Sequence, residues 1–145
     1  MSIEIRPMQM SDAAAVNRLA AQLGYPDTIE ATEQHIARLL PQQTHCLLVA
    51  TDRDTVIGWL HALEITWLEA GTFTEIAGLV VDEQQRGKRA GESLVNAALQ
   101  WCRDRRCHKV CLRSNVRRIE AHRFYRRLGF EEIKESKIFE MLLQS

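Results

Sequence analysis

Leu79-Val80-Val81-Asp82-Glu83-Gln84-Gln85-Arg86-Gly87-Lys88-Arg89-Ala90-Gly91-Glu92-Ser93-Leu94 is the stretch on which the fold turns. An apolar run that reads as a buried strand ends at Val81. A polar loop carrying Arg86-Gly87 follows, and an amphipathic helix is expected from Ala90. The first N–H groups of a helix have no internal partner, and the aligned peptide dipoles favour negative charge there. Gly87 and Gly91 let a ligand approach the backbone closely. A strand, a short loop and a helix start in this order make a site for an anionic phosphate.

Working outward, Ile3 and Ile5 alternate with Glu4 and Arg6, as in a half-buried strand closed by Pro7. Ser11-Asp12 is a helix N-cap signal ahead of Val16, Leu19, Ala20 and Leu23, and Gly24 with Pro26 is the stop. Thr28 is expected to cap a second helix, with Ile29, Ile36, Leu39 and Leu40 turned inward. His45–Ala50 and Val56–Leu63 read as strands joined by a turn at Asp52-Arg53-Asp54. Glu69-Ala70-Gly71 turns the chain into Phe73–Val81. Beyond the loop come a helix over Ala90–Arg105, a strand over Lys109–Arg113 and a helix over Arg118–Leu128 capped by Gly129. From Phe130 to Leu143 the pattern predicts two last short strands. The class is α+β: a mixed, mostly antiparallel sheet of six or seven strands with about four helices on both faces. Residues 3–145 are expected to form one domain.

Composition narrows the function. The 145 residues carry 19 Lys+Arg against 19 Asp+Glu, a balance that argues against a nucleic-acid or membrane-surface protein. The arginines of the 117–127 segment read as a solvated helix face. No apolar run approaches the roughly 20 residues that span a bilayer, and the N-terminus does not read as a targeting peptide, so the cytoplasm is expected. Cys46, Cys102, Cys107 and Cys111 fit no common zinc spacing and read as reduced, buried thiols. Five histidines show no metal spacing, and no metal is expected.

The string Arg86-Gly87-Lys88-Arg89-Ala90-Gly91, preceded by Glu75-Ile76 and Gly78 to Asp82, resembles the pyrophosphate loop of the GCN5-related N-acetyltransferases (GNAT family). A second block, Asn115 followed by Ala121-His122-Arg123-Phe124-Tyr125 and Gly129-Phe130, resembles the family's C-terminal motif. The two motifs cover about Phe73 to Phe130. The wording of the second block is most similar to small-amine enzymes such as the aminoalkylphosphonate acetyltransferases. One departure stands out: Arg89 replaces the family's middle glycine.

The resemblance implies a fold, a co-substrate and roles. Acetyl-CoA would lie along Leu79, Val80 and Val81 as a pseudo-strand. Arg86, Gly87, Lys88, Arg89, Ala90, Gly91 and Glu92 would hold the pyrophosphate, Asn115 the pantetheine and Phe124 the adenosine end. Tyr125 would protonate the departing thiolate. Glu75 would take the proton of the amine, directly or through water, with Glu64, Glu69 and His61 in reserve. Strict alternation puts Glu75, Leu79 and Val81 on one face, unless a bulge at Gly78 shifts the phase. Trp59 and Trp67 read as core, acceptor-pocket wall or a dimer surface. The implied activity is direct acetyl transfer to a primary amine of a small molecule by a homodimer. A non-catalytic acyl-CoA-binding module and a protein acetyltransferase are the alternatives.

Overall fold

The first strand, Ile3–Pro7 (β1), is tied down by its own charge: the Arg6 guanidinium forms a fork on the Asp12 carboxylate, at 2.8 Å for both bonds. This is a computed structural model of the chain, and it describes residues 2–85 and 89–144. Asp12 also accepts from the Gln9 backbone N–H at 2.7 Å, so it closes a single turn of 3₁₀ helix at Met10–Asp12 and makes no side-chain cap to the helix that follows. The pairing with Arg6 holds the Asp12 carboxyl below its ordinary range. The capping signal at Ser11-Asp12 therefore works one turn earlier than the sequence pattern implies.

Two helices follow, Ala13–Gln22 (α1) and Ile29–Leu39 (α2). Thr28 caps α2 as expected, its hydroxyl accepting from the Ala31 N–H at 3.0 Å. Only part of the expected inward stripe is inside: Ile36 is buried, but Ile29 and Leu40 are exposed. His45–Asp52 (β2) and Thr55–Trp67 (β3) are joined by Arg53-Asp54, both with positive φ, the backbone a two-residue hairpin turn requires. Gly71–Val81 (β4) returns antiparallel to β3. Ala90–Asp104 (α3) then crosses over to Val110–Leu112 (β5), which pairs parallel to β4. The five strands lie in the order β1-β2-β3-β4-β5.

Register assigns the faces. Trp59 pairs with Val49 and Val80, so these three side chains share a face. That face packs on α1 and α2 through Met8, Val16, Leu19, Ile36, Val49, Val56 and Val80. Leu60 and Ala50 point the other way, toward Leu94, Val95, Ala98 and Cys102 of α3, all buried. Gly58 lets α3 sit close, since a Cβ there would meet Leu94 Cδ1 at 3.2 Å. Fully burying a Leu or Val side chain contributes about 1.5–3 kcal/mol each, so these two layers account for the sheet's preference for helices on both sides.

Residues 114–145 form a second compact unit, distinct from the unit 1–113 just described. It holds Ile119–Arg127 (α4), closed by Gly129 at φ 106°. The Phe130 N–H bonds the Tyr125 carbonyl and the Gly129 N–H bonds that of Arg126, so Gly129 caps the helix as expected. The two C-terminal strands do not form: no strand is present among the described residues after Leu112, and the sheet has five strands, not six or seven. Ile138, Phe139, Met141, Leu142 and Leu143 are instead 81–88% exposed.

Candidate functional site

The site grows from an irregularity in β4. His61 pairs with Gly78 but Ala62 pairs with Ile76, so Ala77 is an extra residue, a β-bulge. The bulge has two effects. It ends the pairing of β4 with β5 at Ile76, so beyond it the outer edge of β4, Ala77 to Val81, has no strand beside it among the described residues. It also shifts the side-chain phase. Glu75 shares a face with Gly78 and Val80, whereas Leu79 and Val81 share the other with Thr74 and Ile76. The sequence expectation of one face for Glu75, Leu79 and Val81 is thereby corrected, and the extra residue is Ala77, one position before the glycine named for it.

The open edge runs toward the start of α3. Arg86, Gly87 and Lys88, expected to hold a pyrophosphate, lie outside the described residues. Arg89 takes φ 62° and ψ 18°, the left-handed region that favours glycine, and gives no side-chain cap to the helix. The first bond of α3 that returns to the loop runs from the Ser93 N–H to the Arg89 carbonyl, leaving the N–H groups of Ala90, Gly91 and Glu92 ahead of it. The α3 start is thus a left-handed entry followed by N–H donors with no cap among the described residues.

Glu75 faces the α1/α2 side and bonds Arg113, Nε to Oε1 at 3.3 Å. Glu64 bonds Arg105 at 2.9 Å, and Glu69 is exposed on the turn before Gly71. His61 stands on the Glu75 face, one diagonal step away across the strands. Its Nε2 meets Nδ1 of His45 at 2.9 Å, and the rings stack with centroids 5.1 Å apart. Burial, with the His45 neighbour adding to it, pushes His61 down to about 4, so its ring is neutral near pH 7. His45 went unremarked in the sequence because the pair is made by strand register, 16 positions apart.

A cavity of about 330 Å³ lies between α1, α2 and this face, with Met8, Val16, Ile36, Leu47, Trp59 and His61 inside and Tyr25, Asp27 and His35 exposed along its lining. The Trp59 ring occupies the space a Cβ on Gly78 would need, at 2.8 Å, so the cavity wall adjoins the bulge. The Trp59 Nε1–H is buried without a hydrogen-bond partner among the described residues. Trp67 lies edge-on to Phe73 at 5.0 Å instead, at the far end of β3.

In the second unit, Asn115, Phe124 and Tyr125 fall within one turn and helix. Asn115 Oδ1 accepts from the Arg117 N–H at 2.9 Å, and its carbonyl accepts from His122 Nε2 at 2.9 Å. The side-chain NH₂ is the part of Asn115 left for a ligand. Tyr125 packs edge-on to Phe124 and Phe130, and no hydrogen bond engages its phenol among the described residues. Burial raises the Tyr125 phenol above its ordinary range, against the opposing Arg118 charge, so it stays protonated well above neutral pH. The Arg127 guanidinium lies 5.9 Å from the Phe124 ring. Burial pushes the Cys46 thiol up to about 11, leaving it a poor nucleophile. No three His, Cys, Asp or Glu side chains gather as a metal site among the described residues.

Comparison with known proteins gives a consistent result. The model of the acetyltransferase (GNAT) family matches residues 13–130. An aminoglycoside N(6')-acetyltransferase type 1 of Stenotrophomonas maltophilia is 27% identical over 144 residues, covering 97% of this chain and 94% of that protein. A transcriptional regulator from Bacillus halodurans C-125 superposes with TM-score 0.87 at 21% identity, over 97% of this chain and 100% of that one. An aminoglycoside N-acetyltransferase in complex with CoA superposes with TM-score 0.85 at 17% identity, over 97% of this chain and 95% of that one. At these identities the two solved structures show the fold alone. The likeness to aminoalkylphosphonate enzymes has no counterpart among these three.

Proposed function

The chain belongs to the acetyltransferase (GNAT) family, and on that premise we propose that it transfers the acetyl group of acetyl-CoA to the primary amine of a small molecule, by direct attack in a ternary complex. The observation that carries this reading is the open edge of β4 together with the N–H donors at the start of α3 that have no cap among the described residues. An extended amide-bearing arm fits the first, and an anionic pyrophosphate fits the second. The curated relative, an aminoglycoside acetyltransferase, supports a small-molecule amine as acceptor.

Roles follow the family motif. Backbone groups of Leu79, Val80 and Val81 bond the pantetheine arm, and Ala90, Gly91 and Glu92 offer N–H groups to the pyrophosphate. Arg86, Gly87 and Lys88 complete that loop, Asn115 bonds the pantetheine through its NH₂, and Phe124 borders the adenosine. The donor supplies an acetyl thioester, whose carbonyl carbon the amine nitrogen attacks as the thiolate leaves. Glu75 takes the amine's proton, directly or through water, and Tyr125 gives its phenolic proton to the thiolate. A phenol held protonated by burial suits the second task. The protein acts in the cytoplasm as a homodimer.

The experiment is thermal unfolding with and without acetyl-CoA, then thiol release over a panel of small amines. A ligand at 100 times its Kd stabilises the folded state by about 2.7 kcal/mol, which in a chain of this size raises Tm by roughly 5–10 °C. Release with a small amine, lost about 100-fold in Tyr125→Phe, is the expected result. Stabilisation without release from any amine would move the reading to the acyl-CoA-binding module or a protein acceptor. No stabilisation would overturn it.

A further inference from the structure

We propose that the cavity between α1, α2 and β3 holds the body of the acceptor, and that this acceptor is a singly charged primary amine with an aryl or alkyl body, not a polycationic sugar. The inference rests on the acetyl-transfer reading and sharpens it.

Volume is the first argument. At about 330 Å³ the cavity is at the small end of ligand sites, room for one ring or a short alkyl chain. Chemistry is the second. The interior is apolar apart from Thr32, the Trp59 Nε1–H and His61, which is neutral near pH 7. The one carboxylate on the lining is Asp27, on the exposed loop beside Tyr25, with His35 on α2. A ligand with four or five ammonium groups would leave most of them facing hydrocarbon, where an unpaired charge is strongly disfavoured. A single amine does not, since in the tautomer whose Nε2–H donates to His45 the Nδ1 of His61 is left to accept from its nitrogen.

Position is the third. His61 pairs across to Gly78, and the Trp59 ring lies over Gly78, so the wall that would hold the amine end is also the wall of the bulge. That is where the edge of β4 opens. The unpartnered Trp59 Nε1–H is the remaining specificity element. A buried donor without an acceptor is unfavourable, and an oxygen or ring on the ligand relieves it. The titratable groups around the cavity are Tyr25, Asp27, His35 and the His61–His45 pair, with Glu75, paired to Arg113, on the same sheet face.

The test reads binding without turnover. The ¹⁵N–¹H resonance of the Trp59 indole, assigned by its loss in Trp59→Phe, is followed during titration with 2-phenylethylamine and, separately, kanamycin. Saturable movement with phenylethylamine, weakened at least tenfold in Ala20→Leu, is expected, because the new side chain projects from α1 into the cavity. Kanamycin should leave the resonance in place. The proposal is overturned if kanamycin moves the indole and phenylethylamine does not, or if Ala20→Leu, still folded by circular dichroism, binds as tightly as the parent. Thermal shift with acetyl-CoA on the same samples separates the two readings. An indole that responds to the amine in a protein that ignores acetyl-CoA keeps the cavity and sinks the acetyl transfer.

Discussion

Arg89 concentrates the tension between sequence and backbone. It stands at the family's glycine position, and the chain there takes φ 62° all the same. A left-handed conformation costs a residue with a Cβ about 1–2 kcal/mol, a cost that glycine does not carry. Such a cost persists where surrounding structure over-determines the turn, as it does at ligand loops. Arg89→Gly should therefore gain stability, the relief exceeding the extra 0.5–1 kcal/mol or so of chain entropy glycine loses on folding. Arg89→Ala keeps the strain while removing the charge, and should gain nothing. Differential scanning calorimetry of the pair decides it: a rise of about 1–3 °C confined to the glycine variant is expected. Equal melting of both would mean the turn is not strained. The left-handed strain at Arg89 was not legible from residue types, since φ is a property of the closed structure.

At the scale of elements, the bulge in β4 does more than any one side chain. One extra residue, Ala77, separates β4 from β5, puts Glu75 on the α1/α2 face and brings Gly78 under Trp59. Gly78→Ala tests that arrangement directly. A Cβ at 2.8 Å from the indole cannot be accommodated without moving the ring. The near-ultraviolet circular dichroism of the tryptophans should change while the far-ultraviolet spectrum does not, and amine binding in the cavity should weaken about tenfold or more. An unchanged near-ultraviolet spectrum would show that the strand shifts and the ring stays. The alternation of apolar residues made nearly every strand and helix readable, because each element's period matches the face it buries. The bulge escaped exact placement because only the partner strand's count reveals which residue is surplus. The failure of Asp12 as a cap to α1 has a similar origin: Arg6, from a different element, claims its carboxylate.

At the scale of the molecule, the segment after α4 poses the last question. Ile133, Ile138, Phe139, Met141, Leu142 and Leu143 are 78–88% exposed. The sequence expectation of two strands there was sound as propensity and wrong as structure, since a strand becomes an element only when a neighbour bonds its edge. Monomeric proteins seldom leave so much contiguous apolar surface to water. Burying six such side chains would contribute roughly 9–18 kcal/mol per chain, at about 1.5–3 kcal/mol each. Association costs roughly 4–15 kcal/mol once per dimer, so two such segments exceed it when most of their apolar surface is buried. That balance supports the homodimer proposed above and places these segments at its expected interface. Sedimentation equilibrium at micromolar concentration should return twice the chain mass. Phe139→Asp with Leu142→Asp should return the single mass, with the far-ultraviolet spectrum of helices and sheet retained, because neither residue lies in the five-stranded unit. A parent protein that sediments as one chain, or a charged variant that stays paired, would mean that these side chains are not what holds two copies together.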